Sequence, residues 1–74
     1  MATANLEAKF SDTLDAALQA RIGAVVDDLR IEIANDQLVL FGSVASYYLK
    51  QMVQVVAAEV FPGSRLVNLI AVTG

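Results

Sequence analysis

Leu29-Arg30-Ile31-Glu32-Ile33-Ala34-Asn35-Asp36-Gln37-Leu38-Val39-Leu40-Phe41-Gly42-Ser43-Val44 is the stretch on which the fold turns. Leu29, Ile31 and Ile33 alternate with Arg30, Glu32 and Ala34, the period-two pattern of a strand with one buried face. Asn35-Asp36 breaks it with two residues that tolerate turn and left-handed backbone. Alternation then resumes, Leu38, Leu40, Gly42 and Val44 against Val39, Phe41 and Ser43. Two alternating runs joined by a short turn predict an antiparallel hairpin.

On either side of this hairpin the period lengthens. Phe10, Leu14, Leu18, Ile22, Val25, Val26 and Leu29 recur at three- and four-residue intervals, which predicts a helix within Leu6–Leu29. Asp12 is a candidate N-cap for it, with Asp15 in the first turn; Asn5 would cap a longer version. After the hairpin, Ser46 is the expected N-cap of a second helix. Leu49, Met52, Val53, Val56, Ala57 and Val60 give that helix its apolar face, and Pro62-Gly63 ends it. A last strand is expected from about Arg65 to Val72.

The order is helix, strand, strand, helix, strand. A right-handed crossover through the second helix returns the last strand to the hairpin's sheet. The fold class expected is therefore α+β: a single small αββαβ domain with two helices packed on one face of a three-stranded mixed sheet. Residues 1–13 are read as an N-terminal extension or the start of the first helix, and residues 14–74 as the domain proper.

Composition narrows the function. The chain has 74 residues, room for one domain. A chain of this size buries only about 60% of its unfolded surface, so a lone monomer is marginal and further burial would stabilise it. Hydrophobic residues make up 57% and charged residues 18%, leaving little polar surface to cover the rest. The absence of cysteine and histidine removes disulfides, thiolate nucleophiles, histidine triads and ordinary zinc sites. Eight acidic against five scattered basic residues, net −3, argue against nucleic acid as a partner. The N-terminus lacks the basic and apolar regions of a signal peptide, and no apolar run would span a bilayer. The expected location is cytoplasmic, or periplasmic if a leader had been removed.

The order of motifs from the hairpin onward resembles the BON domain. Leu38, Leu40, Gly42 and Val44 match its V-x-L-x-G-x-V strand, and Ser46 the serine that follows it. Lys50, Val53, Val56, Ala57 and Val60 match the amphipathic helix, Pro62-Gly63 its stop and Val67-Asn68 the final strand. The resemblance covers roughly Ile22–Val72. Ser64, where the family has an aliphatic residue, and a last strand one residue shorter before Asn68 are departures that leave the register of that strand open. The resemblance implies a bacterial, non-enzymatic module associated with phospholipid membranes, envelope stress and attachment to larger assemblies.

Two sets of candidate contact residues follow. If Leu38, Leu40 and Val44 face the helices, Val39 and Phe41 point away from them, as do Val67, Leu69 and Ala71 if Leu66, Ile70 and Val72 face inward. Val39, Phe41, Val67 and Leu69 would then form an apolar contact surface for a homo-oligomer or a protein partner, unless Leu6 and Phe10 fold across that face. Tyr47, Tyr48 and Lys50, at the start of the second helix, are candidates for phospholipid contact, since a tyrosine has an apolar ring and a polar tip. The acidic balance of the chain works against strong attraction to anionic lipid. Asp27-Asp28 and Glu32 lack the spacing of a calcium loop and read as solvated, and no nucleophile–base arrangement is recognisable. The expectation is a binding or interaction module with no catalytic residues, no metal and no cofactor.

Overall fold

A glycine decides where the first helix stops. In the computed structural model, which describes residues 2–73 and side chains from residue 4 onward, α1 spans Ala2–Ile22. Gly23 follows with φ +63°, a left-handed conformation open to glycine at little cost, and its N–H donates to the Gln19 carbonyl at 3.2 Å. The apolar spacing that continues through Val25, Val26 and Leu29 is therefore not helical: Val25 is 63% exposed, and Leu29 already belongs to a strand. Asp12 and Asn5 lie inside α1, so neither caps it. Residues 2–13 run without a break into the rest of the helix; Met1 and Gly74, the outer limits of the two expected segments, lie outside the described residues.

The other elements are β1 (Asp27–Ala34), β2 (Gln37–Val44), α2 (Tyr47–Val60), β3 (Arg65–Asn68) and β4 (Ala71–Val72). Strand β2 is central. It pairs antiparallel with β1 on one side and parallel with β3 and β4 on the other. The last strand is thus interrupted at Leu69-Ile70 but keeps one register, with Val39 opposite Val67 before the break and Ser43 opposite Ala71 after it. The architecture is the expected α+β domain, with both helices on one side of a mixed sheet.

Local chemistry sets the hairpin. Asn35 (φ 51°) and Asp36 (φ 62°) are both left-handed, as a two-residue loop between twisted strands requires, and Ala34 pairs with Gln37 to close it. At the far end the register slips by one residue between Asp27 and Arg30, and Asp28 takes φ 56° in the resulting bulge. Gly42 lies opposite the bulge with φ 148°. A Cβ there would meet Val26 Cγ1 at 2.6 Å and the Asp27 carbonyl oxygen at 2.9 Å. The close neighbour that Gly42 admits is thus the segment leading into β1.

The core joins Leu14 and Leu18 of α1 and Val53, Val56 and Ala57 of α2 to the inner face of the sheet, where Ile31, Leu38, Leu40, Val44 and Ile70 are buried. Phe10 packs at its margin, ring to ring with Phe61 at 5.1 Å. Helix α1 therefore lies on the inner side and leaves the outer face of the sheet uncovered. Ser46 caps α2 as expected, its hydroxyl accepting from the Leu49 N–H at 3.2 Å. Arg21 forms an ion pair with Glu59, linking the two helices at the surface.

Candidate interaction surfaces

Alternation along β2 separates two sets of side chains. Leu38, Leu40 and Val44 enter the core, so Val39 and Phe41 project from the opposite face. Cross-strand pairing brings Val67 beside Val39. The Leu69 N–H donates to the Leu40 carbonyl at 2.9 Å, which carries the strand past Phe41 with the Leu69 side chain 55% exposed. Val39, Phe41 and Val67, each half-buried, and the exposed Leu69 thus lie together on the outer side of the sheet.

The rim of this patch is charged. Arg30 lies opposite Phe41, and its guanidinium carbon sits 4.6 Å from the ring centroid. Glu32 lies opposite Val39 and accepts from Arg30 at 2.9 Å. A cation, an anion and an aromatic ring are therefore held together along one side of the apolar surface.

The second set of candidates lies elsewhere. Tyr47 and Tyr48 are 64% and 66% exposed at the first turn of α2. They do not join the sheet patch. Tyr48, Met52 and Val55, spaced i, i+4, i+7 on one stripe of α2, line an open groove of about 480 Å³ together with Lys50 and Asn68. The sequence reading had put Met52 in the core stripe, yet its side chain is only half-buried and turns to this groove. Val55, part of no expected face, was missed; its spacing from Tyr48 and Met52 was the available signal.

Asn68 joins groove and sheet. Its Nδ2 donates to the Lys50 carbonyl at 3.0 Å, and its Oδ1 accepts from the Ile70 N–H at 3.1 Å. One amide side chain thus ties the first turn of α2 to the interruption between β3 and β4.

Among the described residues, no group of three or more acidic side chains is placed to hold a metal ion, and no helix is long and apolar enough to cross a membrane. Comparisons of the chain with protein families, with curated proteins and with solved structures found no match.

Proposed function

We propose that this chain is a non-catalytic interaction module that pairs with a second copy of itself through the outer face of its sheet. The observation that carries this reading is the convergence of Val39, Phe41, Val67 and Leu69 on a face that neither helix covers. A second copy fits the rim, because Arg30 and Glu32 bring opposite charges to the same side and a two-fold arrangement can exchange them.

Size sets the strength. Three strand positions at ~4.8 Å spacing and a central strand of about eight residues at ~3.3 Å each give a face of roughly 400 Å². That is about half of what one partner contributes to a standard stable interface. The association is accordingly weak and reversible. The same face could dock another protein, the alternative occupant for an interaction module.

The test is sedimentation velocity over a wide concentration range. The native chain should shift from monomer toward dimer as concentration rises, and Phe41→Lys should remain monomeric throughout. A native chain that is monomeric at millimolar concentration would remove the self-pairing reading.

A second reading, peripheral binding to phospholipid, draws on the BON resemblance and on the exposure of Tyr47 and Tyr48 beside Lys50. Flotation with neutral and with anionic vesicles tests it. Binding that depends on anionic lipid and is lost on replacing both tyrosines with serine would support a membrane role; a protein that stays at the bottom with both vesicle types would discard it.

A further inference from the structure

The sheet has two edges, and they are treated differently. Along β1, Ser11 of α1 accepts from the Ile31 N–H at 3.0 Å, and the Glu7 carboxylate accepts from the Ile33 N–H at 2.7 Å. These main-chain donors point away from β2, so the helix occupies that edge with its own side chains. Strand β3 forms the opposite edge.

The ladder identifies which groups β3 presents there. The Leu69 N–H points at β2, so by alternation Val67 also faces β2, and Leu66, Asn68 and Ile70 direct their main-chain groups outward. The Ile70 N–H is satisfied internally by Asn68 Oδ1. Leu66 and Asn68 are left presenting a short strand template. Beside it runs the groove of Tyr48, Met52 and Val55, which Asn68 closes. Two basic residues flank the template, on opposite faces: Lys50 lines the groove, and Arg65, which precedes the inward Leu66 at the start of the strand, projects to the outer face. Neither takes part in the ion pairs found among the described residues, which are Arg21–Glu59 and Arg30–Glu32.

We propose that the β3 edge and the adjoining α2 groove bind an extended acidic segment of a partner protein, added to the sheet as a further strand. Main-chain hydrogen bonds to Leu66 and Asn68 hold the segment. Alternate apolar side chains enter the groove against Met52 and Val55, on the side of Lys50, and the carboxylates between them turn to the outer face, toward Arg65. This site is separate from the Phe41 face, so it stands or falls independently of self-pairing.

The probe is a blocked peptide of about eight residues alternating Glu and Val, long enough to cover one strand, with a Lys/Val counterpart as control. Both are titrated into the isotopically labelled full chain and followed by amide NMR. The Glu/Val peptide should shift the Leu66 and Asn68 amides and slow their hydrogen exchange. Val55→Glu, at a half-exposed position where folding is not at stake, should abolish these effects. Lys50→Gln should weaken binding up to about fivefold, as expected for losing one charge contact near the surface. Equal binding of the Lys/Val peptide would overturn the proposal, as would shifts confined to the Phe41 face or no response from either peptide. Concentration-dependent shifts at Leu66 and Asn68 without peptide would also overturn it, since a second copy would then be the occupant.

Discussion

The Glu7 carboxylate, one turn before Ser11 on the first helix, accepts a 2.7 Å hydrogen bond from the main-chain N–H of Ile33 on the edge strand. Residues so far apart in sequence meet because Leu14 and Leu18 on the same helix are fixed in the core, which lays the earlier turns along β1. Removing the carboxylate with Glu7→Ala leaves a half-buried donor without its charged acceptor, at a cost of about 1–3 kcal/mol. Urea denaturation should show that loss, and Ile33 should exchange its amide proton faster than in the native chain. A change of under about 0.3 kcal/mol, within the scatter of neutral surface substitutions, would mean that solvent replaces the contact.

Gly42→Ala should be more damaging. The added methyl meets Val26 Cγ1 and the Asp27 carbonyl oxygen, at a φ of 148° that other residues rarely adopt. Strain and overpacking together should cost about 2–4 kcal/mol, a large share of the stability of so small a domain. Differential scanning calorimetry should find the variant unfolded, or its transition lowered by roughly 8–30 °C, given about 4–8 °C per kcal/mol.

At the hairpin loop the expected change is a gain. Asp36 holds φ 62°, where an L-residue pays a conformational penalty that glycine avoids. Asp36→Gly creates the Asn-Gly pair preferred in two-residue hairpins and should stabilise the chain by a few tenths to about 1 kcal/mol. A midpoint that falls on this substitution would show that the Asp36 side chain contributes more than its backbone costs.

Asn68→Ala removes both the contact to the Lys50 carbonyl and the acceptor of the Ile70 N–H. The cost should be about 1–3 kcal/mol. Asn68→Asp keeps the acceptor and loses the donor, so it should recover part of that loss. Amide exchange can separate the two functions: Ile70 should regain protection in the aspartate variant, while the first turn of α2 should not.

The hairpin and α2 were legible because their signals are local. Alternation, the Asn35-Asp36 turn and the Ser46 cap each act within a few residues, and the outward set of Val39, Phe41, Val67 and Leu69 follows from period two alone. The extent of α1 was harder to read. Val25, Val26 and Leu29 continue the helical spacing by coincidence beyond Gly23, where the backbone turns left-handed. The grip of Glu7 and Ser11 on β1 has no sequence pattern, since it joins residues 26 and 20 positions apart. Met52 lies where an inward stripe and an outward stripe of one helix adjoin, and periodicity does not separate them.

The occupied edge of β1 has a consequence for how copies of this chain can accumulate. A sheet with two open edges can add units at both ends and grow into a fibre. Here one end is terminated by Ser11 and Glu7, so joining edge to edge uses up the single remaining end of each copy. Such growth stops at a pair. The first helix thus acts as a chain terminator for a small, apolar sheet that would otherwise be suited to polymerise.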